Sequence, residues 1–83
     1  MQDWMFRDEA GRQVMRQATA RTLSGIGVWQ WVQTQVGVWS GGAYHGLTLI
    51  PASNDPWQMT WTVEWVDAAG QHTGTVTIRR ASM

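Results

Sequence analysis

Between Pro56 and Val66 the chain alternates apolar and polar residues with a period of two, and this stretch restricts the possible folds more than any other. Trp57, Met59, Trp61, Val63 and Trp65 fall on one parity, and Gln58, Thr60, Thr62 and Glu64 on the other. Successive side chains leave a strand on opposite faces, so this is the pattern of a half-buried antiparallel strand. A helix would scatter the same tryptophans around its circumference, and Thr60, Thr62 and Val63 favour strand because their Cβ atoms are branched. So many tryptophans on one face require a large apolar cover.

The cover must come from a short chain. Eighty-three residues make a single domain, 1–83, near the lower limit for a self-sufficient core. Seven tryptophans offset the small size, since each buries on the order of 200 Å². There is no cysteine, so neither a disulfide nor a thiolate metal site nor a cysteine nucleophile is available. The formal net charge is zero and lysine is absent, which removes the basic field expected of a nucleic-acid binder. No apolar run reaches the roughly eighteen residues of a membrane span. The N-terminal segment is acidic and lacks the apolar core of a signal peptide, so a cytoplasmic location is expected. Composition leaves open whether 1–83 is a whole protein or a domain excised from a longer one.

In chain order, residues 3–23 read as one amphipathic helix. Asp3 is placed to cap it, and Phe6, Ala10, Val14 and Ala18 recur at four-residue spacing. Gly11 is unfavourable inside such a helix and leaves an alternative, a short Phe6–Val14 hairpin turning at Glu-Ala-Gly. Ser24-Gly25 supplies a stop. Ile26–Trp39, rich in Val and Trp, reads as a strand covered on both faces, or as one with a bulge near Gly37. Ala43–Ile50 reads as a second strand, Pro51–Pro56 as a loop, and Thr73–Arg80 as the last strand after a hairpin at Asp67–Gly70. The expected architecture is therefore α+β, with one N-terminal helix packed on a four-stranded antiparallel meander sheet.

One segment resembles a known family. Leu49-Ile50-Pro51, Ser53, Trp57-Gln58, Trp61 and Glu64, followed by Asp67 and Gly70, are similar to the late strand pair of bitopic assembly factors of bacterial type IV secretion and conjugation machines. The resemblance covers residues 49–70. It implies a soluble domain of the nuclear-transport-factor type, helices against a curved antiparallel sheet, acting as a non-enzymatic scaffold through protein contacts. The family also carries a membrane-spanning helix and a longer soluble domain, for which this sequence shows no counterpart.

The residues themselves carry no catalytic signature. His45 and His72 are the only histidines, and neither is spaced with a nucleophile and an orienting acid. Both read as surface histidines near turns, and no metal or cofactor is expected. Glu64, between Val63 and Trp65, has the polar parity and reads as a solvated cross-strand partner of Arg79 or Thr77. Arg12, Arg16 and Arg21 are expected to stand apart from the Trp face, so a stacking platform with a cationic groove is not expected.

The functional expectation is a small non-enzymatic protein-interaction module. It would be an accessory component or inhibitor of a larger bacterial or phage assembly, with secretion or conjugation as an example. Its interaction surface would be the polar sheet face and the last strand as an edge: Thr60, Thr62, Glu64, Thr73, Thr75, Thr77 and Arg79. The partner is another protein or a second copy of the chain. The alternative is a cone-shaped ligand-binding or enzymatic domain, with a pocket lined by Trp29, Trp61 and Trp65.

Overall fold

The computed structural model describes residues 1–18 and 25–80. The elements run β1 (Gln2–Asp8), β2 (Gln13–Ala18), α1 (Gly25–Ser40), β3 (Tyr44–Asn54), β4 (Gln58–Asp67) and β5 (Gly70–Arg80). The five strands form one antiparallel sheet in the order β2-β1-β5-β4-β3. The α+β class holds, but the helix is not N-terminal, the sheet has a fifth strand, and the strand order is not a meander. Arg21 and Ser24 lie outside the described residues.

The segment expected to be helical is the hairpin that Gly11 left open. The four-residue spacing of Phe6, Ala10, Val14 and Ala18 fits a hairpin as well as a helix. A turn centred on Ala10 sets Phe6 opposite Val14 and Gln2 opposite Ala18. Gly11 decides between them: its φ of 87° is left-handed, which glycine adopts without steric cost. Asp8 fixes the turn by accepting hydrogen bonds from the Ala10 and Arg12 amides at 3.0 and 2.8 Å, and from Arg12 Nε at 2.5 Å. Those three donors explain how a carboxylate only 5% exposed is tolerated.

Ile26–Trp39, expected to be a strand, belongs to α1 instead. Val28, Val32 and Val36 are spaced by four and are fully buried, while Trp31, Gln35 and Trp39 widen the same stripe. Trp29, Gln30, Gln33, Thr34 and Val38 point to solvent. Tertiary burial has overridden the strand propensity of valine. The helix ends in a Schellman motif: the Gly42 amide donates to Gly37 O at 2.8 Å and the Gly41 amide to Val38 O at 3.5 Å. Topology explains why a helix stands here. It links β2 at one edge to β3 at the other, a span of roughly 19 Å across the sheet, and sixteen helical residues reach about 24 Å.

Beneath α1 the inner sheet face supplies Trp4 and Phe6 from β1, Trp61, Val63 and Trp65 from β4, and Val76 and Ile78 from β5. The expected alternation of β4 is observed, with Trp61, Val63 and Trp65 buried and Thr60, Thr62 and Glu64 half-buried on the other face. Trp57 is 58% exposed, just before the strand begins. At the crossing of β1 and β5 there is no room for a side chain at position 74. A Cβ there would meet the Arg7 carbonyl oxygen at 2.7 Å and Phe6 Cε1 at 2.9 Å.

Two stability measurements follow. In urea denaturation Trp61→Ala should lose about 3–5 kcal/mol, whereas Thr62→Ala, one residue along, should change stability by less than about 1 kcal/mol. Gly74→Ala should lose about 1–3 kcal/mol by forcing β1 and β5 apart. A neutral Gly74→Ala would show that the two strands do not approach this closely.

Candidate functional site

Alternation in five paired strands produces a second face that no other described element covers. The seven residues expected to form an interaction surface all lie on it. Thr60, Thr62 and Glu64 come from β4, and Thr73, Thr75, Thr77 and Arg79 from β5, with Thr60 opposite Thr77, Thr62 opposite Thr75 and Glu64 opposite Thr73. Glu64 is therefore not paired with Arg79 or Thr77; its neighbours are Thr73 on one side and Thr48 on the other. Arg79 stands between Gln58 and Asp3.

The expectation that β5 is an edge is incorrect. It is hydrogen-bonded on both sides, to β1 and to β4, because the N-terminal hairpin docks against it. The sheet ends instead at β2 and β3. What Thr73, Thr75, Thr77 and Arg79 offer is a face, not free backbone.

That face is grooved. One depression is lined by Met5, Arg7, Thr62, Thr73, Thr75 and Thr77, and at its turn end by Asp8, Glu9 and Gly74. A second shares Met5 and Thr77 with the first; it is lined on this face by Asp3, Met15, Gln17, Gln58 and Arg79, and reaches round the β2 edge to Trp4 and Arg16. Met5 and Met15 are cross-strand partners and give the groove an apolar floor at the β1–β2 side. Asp3, Arg7 and Arg79 stand around it with both signs of charge.

The end of the sheet where the β1–β2 and β4–β5 turns meet carries a cluster that sequence reasoning missed. His72 Nδ1 lies 2.5 Å from Glu9 Oε1 and His72 Nε2 lies 2.8 Å from Asp67 Oδ1. Its ring stacks on Trp65 at 5.2 Å between centroids. Two carboxylates facing two ring nitrogens favour the doubly protonated imidazolium, so His72 is raised above its ordinary value, mostly by the Asp67 hydrogen bond and further by Glu9. Asp67 is lowered, chiefly by the same hydrogen bond and also by the Ala69 amide. Asp67 and His72 share a parity across a tight hairpin, so that half was readable from the sequence. Glu9 was hidden by the helical reading of β1.

This cluster ties two turns together and provides no nucleophile. His45 lies on the opposite sheet face, opposite Val66, so the two histidines do not meet. The carboxylates sit on opposite sides of the His72 ring, and among the described residues no group of three or more His, Cys, Asp or Glu side chains is arranged to hold a metal ion. No helix among the described residues is long and apolar enough to cross a membrane.

The three tryptophans of the alternative pocket do not converge. Trp61 and Trp65 are buried in the core, whereas Trp29 is on the solvent side of α1. Two arginines depart from expectation: Arg12 sits 4.6 Å over the Trp39 ring and Arg16 4.9 Å over Trp4, so both are engaged with the aromatic layer. Compared with protein-family models, with curated proteins and with solved structures, the chain matches none.

The two shifts define a pH window. A raised histidine contributes stability that is complete below its unfolded value and is lost as pH rises through its folded value. A lowered aspartate contributes stability above its unfolded value and loses it as pH falls through its folded one. The clamp is therefore strongest in mildly acidic solution. The stability difference between wild type and His72→Gln should be largest near about pH 5.5 and shrink by about pH 9. Chemical denaturation at both pH values checks this, and a difference that grows with pH would refute the charged clamp.

Proposed function

We propose that this chain is a non-enzymatic protein-interaction module that docks a protein partner on the uncovered sheet face. The observation that carries this reading is the pair of adjoining depressions, sharing Met5 and Thr77, that extends from Thr62 and Thr73 to Met15 and Arg79. The groove is rimmed by threonines, floored by methionine, and flanked by charges of both signs. Methionine adapts to irregular apolar partners, and threonine presents hydroxyls without the entropy cost of long side chains. The face also lacks the dense charge that keeps sheet surfaces unpartnered.

The same reading makes the chain an accessory component or inhibitor of a larger bacterial or phage assembly. The likeness of residues 49–70 to the assembly factors of secretion and conjugation machines favours such a setting. That likeness supports action through contacts rather than through chemistry. Among the described residues His72 is raised in pKa by two acidic neighbours, and both of its ring nitrogens are engaged by them, which supports a role in holding the fold.

The test compares two double variants of equal charge disturbance. Thr75→Lys with Thr77→Lys crowds the groove, whereas Gln33→Lys with Thr34→Lys alters the solvent side of α1. Against a partner identified with the wild-type protein, the groove variant should bind at least tenfold more weakly while melting at an unchanged temperature, and the helix variant should bind normally. The reverse result would move the interface to α1 and overturn the proposal.

A further inference from the structure

We propose that β2 is a dimerisation edge, through which two copies of this chain pair antiparallel about a two-fold axis at Met15. The inference deepens the interaction-module reading and rests on it, but concerns the edge of the sheet rather than its groove.

The two edges of the sheet differ. The β3 edge is guarded: its register shifts between His45 and Thr48 and again between Pro51 and Ser53, and Gly46 is left-handed with φ 68°. Bulges and proline are the devices by which edge strands avoid pairing. The β2 edge has none of them. Its register against β1 is unbroken from Gln2–Ala18 to Arg7–Gln13, and it contains neither proline nor lysine. Its arginine does not guard it either, because Arg16 is folded over Trp4 on the inner face.

The direction of the free backbone groups follows from the turn. The Asp8 amide donates to Arg12 O, which makes that pair a narrow, hydrogen-bonded one. Alternation along an antiparallel ladder then directs the N–H and C=O groups of Val14, Arg16 and Ala18 toward β1. Those of Gln13, Met15 and Gln17 face the open edge. A two-fold axis at Met15 pairs Met15 with Met15 of the second copy and Gln13 with Gln17 of the second copy. About six backbone hydrogen bonds form in this register.

The side chains are pre-set for the same register. Arg7 Nε and Nη2 hold Gln13 Oε1 at 3.2 and 3.0 Å, leaving the Gln13 NH2 group as the free end. Gln17 Nε2 donates to Asp3 Oδ1 at 3.0 Å, leaving the Gln17 carbonyl oxygen as the free end. Across the axis each free amide donor meets a free carbonyl acceptor, twice by symmetry. The Arg7-bearing corner of one copy lies toward the Asp3-bearing corner of the other, with the two β2 strands between them, so the outer-face charges are complementary in sign rather than alike. On the inner side Arg16 comes opposite Val14 and Arg12 opposite Ala18; the two Arg16 residues are diagonal neighbours, and each is drawn back from the axis onto its own Trp4. Met15, 66% exposed in the single chain, is covered by its own image.

Two short strands make an interface at the small end of specific assemblies, so the test uses sedimentation from low to several hundred micromolar protein. Wild type should move from monomer to dimer over that range. Met15→Lys and Met15→Glu should each weaken dimerisation at least tenfold at unchanged melting temperature, and mixing the two should restore a mixed dimer. The chain has no cysteine, so Met15→Cys supplies a sole thiol. Narrow antiparallel pairs hold their Cα atoms about 5.5 Å apart, within disulfide range. Met15→Cys should therefore cross-link under mild oxidation, whereas Ile50→Cys on β3 should not. A wild type that stays monomeric, with no Met15→Cys cross-link, overturns the inference. So does a dimer indifferent to Met15→Lys. Neither result touches the groove reading, which fails only if the Thr75→Lys, Thr77→Lys variant keeps its partner.

Discussion

The pairing of β1 with β5 is the interaction on which everything else depends. It joins the beginning of the chain to its end, from Gln2 opposite Arg80 to Asp8 opposite Gly74. Without it the N-terminal hairpin would be an isolated two-stranded unit, which is marginal in water at best. The β3–β4–β5 meander would then expose Val76 and Ile78 along one flank. Closing so long a loop costs entropy before any contact rewards it, so this fold should form slowly for its size. The same closure makes β5 a central strand and transfers the free edges to β2 and β3.

Docking of the hairpin also completes the aromatic layer. Phe6 touches Trp31, Trp39 and Trp65 at centroid distances of 6.4, 5.0 and 5.8 Å, and Trp4 meets Trp31 edge-on at 5.5 Å. One strand from the N-terminus, two turns of α1 and the central β4 thus meet in one cluster. Arg12 and Arg16 finish it on the β2 side, each laying a guanidinium over an indole ring rather than leaving the ring wet. Most of the tryptophan in the sequence is spent on this layer. Much of the richness in Trp is therefore a property of a small core, where each large ring replaces several smaller side chains.

What could be read from the sequence was whatever depended on period two at short range. The β4 alternation, the Asp67–Gly70 hairpin and the shared outer face of Thr60, Thr62, Thr75 and Thr77 all follow from neighbours along the chain. Four-residue spacing was the weak point. Phe6, Ala10, Val14 and Ala18 have it because a hairpin is symmetric about its turn, and Val28, Val32 and Val36 have it because they line a helix. In the sequence alone the first reads as helix and the second as strand, since valine favours strand and Asp3 looks like a cap. Gly11 carried the information that separates the two, through the left-handed turn it permits. Strand order was not legible, because nothing local announces that the first strand will lie beside the last. From that one omission came the misplaced edge at β5 and the missed partner of His72, since Glu9 reaches the histidine only when the β1–β2 turn lies beside the β4–β5 turn.

The architecture leaves the molecule one-sided, and the two proposed contacts share a physical origin in that asymmetry. A single helix, running from one edge to the other, covers one face and leaves the other grooved and open. Because α1 leaves the sheet after β2 and re-enters at β3, it bridges the inner face without lying along either edge. The edge at β3 is broken by bulges and proline, while β2 runs straight. Pairing of two β2 strands would double the width of the sheet and keep both helices on the same side. The two outer grooves would then join across Met5 and Met15 into one continuous surface, with the methionines of four strands at its centre. A partner with its own two-fold symmetry would meet this surface with both halves at once, and linked contacts of that kind bind far more tightly than either half alone. A weak edge and a shallow groove, each modest by itself, would become a specific platform when they lie side by side.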